Sequence, residues 1–466
     1  MKSTLKLKPV EGSIVAPTGF LTAGVFCDIK RLGTGKGSNK GRKRDLALIV
    51  SETPAKVAGL FTTNQVCAAP VKVCVERVAL GEAQAVVVNS GNANACTGRQ
   101  GLKDAKAMTA LAAKLLHMPE QTVLVASTGR IGVNLPMDNV CSGVREAAGL
   151  LGGDPVHAAE AAEAIMTSDT HPKQVAVEFL LGGKKVRIGG MCKGAGMIQP
   201  GMSRDGSRPA AVPGTSGLHA TMLAFLTTDA AVEARSMQAA LEEAVALSFN
   251  RITVDGDMST NDTVLLLANG LAENDEVRGP MAAGGKSKKA QAQTQTPAGT
   301  KAFAIFQAAL NHVCLELARM IVRDGEGVSR LVTVRVSGAR DHGEADAAAR
   351  AVANSALVKT SWHGGDPNWG RIIDALGYSS AHVVEEKVDI GYSAPGSKQA
   401  VWSLKRGQPT KETFKTLCAA VAPREFDLHI RLNLGKGEAV IYAADLTEAY
   451  VDFNKGDIGN PAALGG

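Results

Sequence analysis

The sequence predicts a mixed α/β protein, and three observations carry that prediction. Short apolar runs bounded by polar turns (Asp45 to Val50, Ala85 to Val88, Thr122 to Ala126) have the length of buried strands. Apolar residues also recur at helical spacing, at Met108, Leu111, Ala112, Leu115 and Leu116, and again at Phe303, Phe306, Leu310, Val313, Cys314, Leu317 and Ile321. The 466 residues allow one large domain or two to three ordinary ones, and at 45% hydrophobic they bury a sizeable core. Aromatics are only 4%, so the core rests on Ala, Val, Leu and Ile, and base-stacking platforms for single-stranded nucleic acid are disfavoured.

Net charge is +6, mild for this length. The basic cluster Lys30, Arg31, Lys36, Lys40, Arg42, Lys43 and Arg44 lies among Gly and Ser and reads as a solvated loop, not a nucleic-acid patch. Gly33 to Ser38 lacks the first glycine a phosphate loop needs. The eight cysteines are scattered, with no C-x-x-C pair and no H-E-x-x-H, so neither structural zinc nor a zinc protease is predicted. Their scatter suits a reducing compartment and predicts a cytoplasmic protein, with a mitochondrial or plastid matrix as the alternative. No apolar run approaches 18 residues and Met1 to Pro9 lacks an apolar core, so neither a membrane span nor a secretory signal is expected.

Taken in order, the strand at 85–88 runs into Asn89 to Gly98, whose Asn and Gly tolerate left-handed backbone. The strand at 122–126 ends in Ser127-Thr128-Gly129. A hydroxyl and a glycine amide at a strand end can point two donors at one spot, as an oxyanion hole requires, although a plain Ser/Thr turn has the same sequence. Ala159 to Met166 reads as a helix broken at Pro172, and Val175–Leu181 with Lys184–Gly190 as a hairpin turning at Gly182-Gly183. The hairpin leads to Lys193-Gly194-Ala195-Gly196-Met197-Ile198-Gln199-Pro200, a glycine-rich loop whose lysine suits a carboxylate. A polar Gly/Pro-rich segment (201–218) follows, then Ala220-Thr221 before the apolar run Met222 to Leu226. Scission between Ala220 and Thr221 would leave a hydroxyl nucleophile whose own α-amine, pKa about 7.7–8.0, is its base. An ordinary helix start capped by Thr221 is the plain alternative.

Met237 to Ser248 is a helix. Asp255, Asp257 and Asp262 lack the spacing and closing glutamate of a calcium loop, so no metal is predicted. Residues 273–300 are low-complexity and read as an insertion that cannot form a core. The long helix from Phe303 ends near Glu326, held between Gly325 and Gly327. A strand at Leu331–Val336, a helix at Ala345–Ala356, strands at 383–390, 426–432 and 439–442 and a helix at Phe414–Val421 complete an α+β region.

The Lys193–Pro200 loop, Ala220-Thr221-Met222-Leu223, Leu226 to Ala230, the stretch Phe249 to Thr263 and His363 to Ile372 resemble the ornithine acetyltransferase, or glutamate N-acetyltransferase, family of arginine biosynthesis. The resemblance covers nearly the whole chain apart from the segments 201–218 and 273–300 and the tail. It implies a layered α/β sandwich of two domains, cut by itself into an α chain (1–220) and a β chain (221–466) that assemble as α2β2. It implies transfer of an acetyl group from N2-acetylornithine to glutamate through an acetyl-threonine on Thr221. Thr128 and Gly129 would form the oxyanion hole, and Thr167, Lys193, Thr221, Glu326 and Asn454 would bind substrate. No cofactor is implied; acetyl-CoA would be a second donor in a bifunctional member. The family offers a hydroxyl five residues after the asparagine matched by Asn454, where this chain has Gly459. A threonine-nucleophile amidohydrolase or aminopeptidase, or a non-catalytic amino-acid-binding homologue, are the alternatives.

Overall fold

A computed structural model describes residues 6–32, 43–207, 222–279 and 297–455. Among them, two sheets organise the molecule. The larger has ten strands, including β1 (Phe20–Val25), β2 (Leu46–Thr62), β3 (Glu82–Asn92), β4 (Val123–Arg130), β5 (Lys173–Leu181), β6 (Lys184–Lys193), β7 (Leu223–Thr228) and β8 (Thr263–Ala268). Its main path runs β5-β6-β7-β8-β2-β3-β4, with β1 on β2. β7 and β8 pair in parallel, Thr263 opposite Leu223. Both are buried on two faces: Leu223 and Phe225 pack into one core, Ala224 and Leu226 into the other. That is why the sequence there is continuously apolar and does not alternate. Helices α1 (Ala69–Val78), α2 (Gly98–Leu116), α3 (Met137–Gly149) and α4 (Pro155–Ala164) serve the first core. Helices α5 (Ala234–Ala246) and α6 (Pro297–Arg323) serve the second.

The smaller sheet has seven strands, among them β9 (Leu331–Ala339), β10 (Asp389–Ser393), β11 (Val401–Lys405), β12 (Glu425–Arg431) and β13 (Gly437–Ala444), in the order β13-β9-β12-β10-β11. Its apolar face carries Val332, Val334, Val336, Phe426, Leu428 and Ile430. Against it pack α7 (His342–Asn354), α8 (Ala356–His363), α9 (Trp369–Gly377) and α10 (Phe414–Val421). A last helix, α11 (Glu448–Asn454), reaches the loop after α6, where Asn454 donates to Glu326.

The predicted hairpin forms as β5 and β6, with Gly182 and Gly183 at φ 60° and 85°, the paired left-handed geometry of a tight two-residue turn. β7 and β8, which follow residue 221, complete the larger sheet that β1 to β6 begin. Several expectations need correction. Helix α4 stops at Ala164, well before Pro172. The stretch 273–300 is not wholly core-free: Val277 is buried and bridges Val232, and α6 already begins at Pro297. At the start of the 201–218 segment, Met202–Ser203 pairs with the end of β2. Within the basic cluster Lys30 is buried, its ammonium donating to the Arg44 carbonyl, and Arg44 pairs with Glu160 and Glu163. The stretch 383–390 is mostly a loop with a 3-10 turn at Glu385–Lys387, the strand starting only at Asp389. Contrary to the expected absence of a span, Thr300–Arg323 is long and apolar enough to cross a membrane, but its stripe of Phe306, Leu310, Val313, Leu317 and Ile321 is buried in the second core.

Candidate active site

The site is assembled where β4 and β6 end and β7 begins. At the end of β4, Gly129 sits at φ +127° against Gly91 of β3, and a Cβ there would lie 2.4 Å from the Gly91 carbonyl carbon, so only glycine fits. The preceding Thr128 is fully buried, and its hydroxyl has no hydrogen-bond partner among the described residues. A buried hydroxyl without a partner is unusual, because it forfeits its bond to water. Asn261 ties this strand end down: its Nδ2 donates to Ala93 O and Ser127 O, both at 2.7 Å. The next residue, Asp262, accepts the Met222 N–H at 2.6 Å. Thr128 and Gly129 are thus linked through two consecutive side chains to the residue that follows Thr221. Ala220, Thr221 and Gly459 lie outside the described residues.

At the end of β6, the loop that carries Lys193 is shaped by two acids. Asp169 accepts the Gly194 N–H at 2.7 Å and the Thr167 N–H at 2.9 Å. Asp255 accepts the N–H groups of Met197 at 2.6 Å and Ile198 at 2.8 Å, with Met197 in left-handed backbone at φ 56°. Beneath them Lys173, fully buried, joins Asp169 at 2.6 Å and Asp324 at 2.5 Å. Burial alone would raise the Asp169 carboxyl, but Lys173, Lys193 and the Gly194 N–H outweigh it and hold it well below the usual range.

Lys193 is itself only 1% exposed, and its ammonium donates no hydrogen bond to any described residue. Burial pushes its ammonium below the usual lysine range, against the pull of Asp169, Glu326 and Asp262. Glu326 lies across the loop, its N–H on Ala195 O at 2.8 Å and its carboxylate accepting from Asn454 Nδ2 of α11 at 3.0 Å. Burial raises its carboxyl, and hydrogen bonds from Ser168 and Asn454 oppose this. Gly196 makes the close approach possible: a Cβ there would meet the Glu326 carboxyl at 2.4 Å. Thr167, Lys193, Glu326 and Asn454 therefore surround one loop. Lys193, acting electrostatically on Asp262, connects that cluster to Thr128 and Gly129.

Asp169, Lys173 and Asp324 were not legible as site residues. Asp255 and Asp262, weighed as cation ligands in the sequence, accept backbone N–H groups instead, Asp255 through both carboxylate oxygens and Asp262 through one.

The model of the ArgJ family matches residues 27–456. The chain belongs to the ArgJ family. An ArgJ relative from Symbiobacterium thermophilum, named an arginine biosynthesis bifunctional protein, is 44% identical over 443 residues, covering 95% of this chain and 98% of the relative. Another, from Caldanaerobacter subterraneus, carries the same name at 41% identity over 447 residues, 96% of this chain and 98% of the relative. Among solved structures, the Mycobacterium tuberculosis ornithine acetyltransferase complexed with ornithine is 39% identical, with TM-score 0.38, covering 42% of this chain and all of that one. The family read from the motifs is thus the ArgJ family, and its mixed α/β architecture is the one described above.

Proposed function

We propose that this ArgJ family member is a self-processing acetyltransferase of arginine biosynthesis, moving an acetyl group from N2-acetylornithine to glutamate. The observation that carries the reading is the pairing of a buried, unbonded Lys193 ammonium with the Glu326 carboxylate across one loop. The cation matches the α-carboxylate that both substrates share, and the anion matches an ammonium, the side-chain ammonium of N2-acetylornithine or the α-ammonium that glutamate carries before it is deprotonated to attack, so one pocket serves both halves of a ping-pong cycle. In this scheme the Ala220–Thr221 bond is hydrolysed by the chain itself. The Thr221 hydroxyl then attacks the acetyl carbonyl and passes its proton to the Thr221 amine. The Thr128 hydroxyl and Gly129 N–H face the oxyanion. Collapse returns the proton to the departing ornithine nitrogen, and the glutamate amine attacks the acetyl ester in turn.

The relatives' name, bifunctional, supports acetyl-CoA as a second donor for making N-acetylglutamate. In the same reading the two chains of one precursor assemble as α2β2. All eight cysteines are free thiols, which supports a cytoplasmic protein. The test is to incubate the purified protein with N-acetylornithine, with and without glutamate, and to follow ornithine, N-acetylglutamate and acetate. Formation of N-acetylglutamate in step with ornithine supports transfer. Acetate release that glutamate does not accelerate would favour an amidohydrolase.

A further inference from the structure

The face of the smaller sheet that its helices do not cover carries a second constellation, which acetyl transfer does not use. Val334, Val336, Leu428 and Ile430 lie in the core under the helices, so the alternate residues Arg335, Ser337, His429 and Arg431 stand on the opposite face. β9 and β12 run parallel, with Arg335 opposite His429 and Ser337 opposite Arg431. On the other side of β9, β13 sets Val440 opposite Arg335 and Glu438 opposite Ser337. Together these six residues line a depression of about 230 Å³.

Its walls carry more positive charge than they neutralise. Asp427, only 1% exposed, accepts Arg335 Nε at 2.7 Å and the Gly396 N–H at 2.9 Å. That bond fixes the Arg335 guanidinium and leaves its two terminal nitrogens without a hydrogen bond to any described residue. Arg431 has no ion pair among the described residues; its guanidinium lies 4.5 Å from the centre of the half-buried Trp402 ring. His429 is held through Nε2 on the Ser393 hydroxyl at 2.8 Å, which leaves Nδ1 facing no described partner. Burial pushes its imidazole below the ordinary range, helped by Arg335 and Arg431 and opposed by Asp427. The other acid, Glu438, is exposed and makes no ion pair among the described residues. Two guanidinium groups on neighbouring strands repel each other, and an anion between them turns that repulsion into attraction. The planar fork of an arginine matches two oxygens of a carboxylate or a phosphate.

We propose that this depression binds a small oxyanion, a phosphate or carboxylate group, held by the terminal nitrogens of Arg335, by Arg431 and by the Nδ1–H of His429. It goes beyond the acetyl-transfer reading and does not depend on it. At about 230 Å³ the depression is smaller than the roughly 300–1,000 Å³ of a pocket for a drug-sized ligand. It therefore suits a free phosphate, a small dicarboxylate, or the phosphate end of a nucleotide whose remainder stays outside.

The test titrates the full chain at constant ionic strength with inorganic phosphate, succinate and ADP, by calorimetry and by tryptophan fluorescence. At least one of the three is expected to bind saturably with a Kd of about 1 mM or below, and the tightest names the source of the anion. Binding moves Arg431 against its ring, so a fluorescence change is expected that Trp402→Phe abolishes. Arg431→Gln removes a cation that has no acid partner, so the fold is expected to hold while binding weakens by about tenfold to a hundredfold. Lys405→Gln is the control: its ammonium lies 5.5 Å from the Trp402 ring but outside the depression. It is expected to bind within about twofold of wild type, as a screened surface charge should. No saturable binding up to about 10 mM overturns the proposal. Affinity that Arg431→Gln leaves unchanged, or that Lys405→Gln lowers as much, overturns it too, the latter because the attraction is then diffuse. Should Arg431→Gln fail to fold, the His429 ring of the wild type is titrated by nuclear magnetic resonance with and without the anion that binds. An upward move of its pKa supports the site, and an unmoved value contradicts it.

Discussion

Substituting Gly196 by alanine separates the fold from the site. A Cβ at this position would lie 2.4 Å from Glu326 Cδ and Oε2 and 2.5 Å from Oε1, whereas ordinary contact begins at 3.4 Å. The carboxyl must retreat by about 1 Å to reach contact distance. It is the far end of a flexible side chain, so the backbone need not move and the protein is expected to fold and to be cut as before. What fails is the geometry of the pocket: the Asn454 bond at 3.0 Å breaks and the carboxylate leaves the place assigned to the substrate ammonium. A misplacement of 1 Å costs about a hundredfold in catalysis, or about 2.7 kcal/mol. The assay is kcat/KM for N-acetylornithine and for glutamate, with the cut fraction read by mass. Gly149→Ala, at the end of α3 with nothing within 4 Å of its new methyl, is the control and is expected to keep full activity. A Gly196→Ala enzyme that is fully cut and within threefold of wild type would refute the placement of substrate against Glu326.

Three further outcomes follow from the same geometry. Thr128→Val removes a hydroxyl with no partner among the described residues, so the melting temperature is expected to hold or rise while kcat falls by about 10²–10³-fold; a drop in both would contradict the assignment. Lys193→Met deletes the cation facing the α-carboxylate, and KM for both substrates is expected to rise about tenfold to a hundredfold, a charge-assisted hydrogen bond contributing about 1.5–3 kcal/mol. In the uncut Thr221→Ala chain, burial raises the Asp262 carboxyl above its unfolded value of about 3.9, so its contribution is complete below that pH and is lost as pH rises through the folded value. Thermal unfolding from pH 4 upward should accordingly show Thr221→Ala losing stability faster than Thr221→Ala/Asp262→Asn; parallel curves would contradict the buried-acid account.

Much of the fold is written locally, and the exceptions share a cause. The α6 stripe, the β5–β6 hairpin and α10 at Phe414–Val421 each follow from spacing within a few residues. The strand β11 at Val401–Lys405 was missed because it is short, with Lys405 exposed at its end and Trp402 half-buried between the cations Lys405 and Arg431. The acids around the site obey no local period. Lys173 and Asp324 are 151 residues apart, and Asp262 lies 40 from Met222, so only the folded sheet brings them together. Residues 273–279 read as the start of a low-complexity insertion that cannot form a core, yet Asn274 is buried and bonded to Ala231, a contact that composition does not encode. Motif resemblance singled out Thr128, Thr167, Lys193, Glu326 and Asn454. The geometry adds the acids and the glycines that hold them, which a motif does not explain.

The measurement that reaches the central claim most directly is the intact mass of the purified protein beside its Thr221→Ala variant, with the N-terminus of each fragment sequenced. The account predicts two fragments from the wild type, the second beginning at Thr221, and one uncut chain from the variant. A wild type that remains a single chain, or one cut elsewhere, would contradict it.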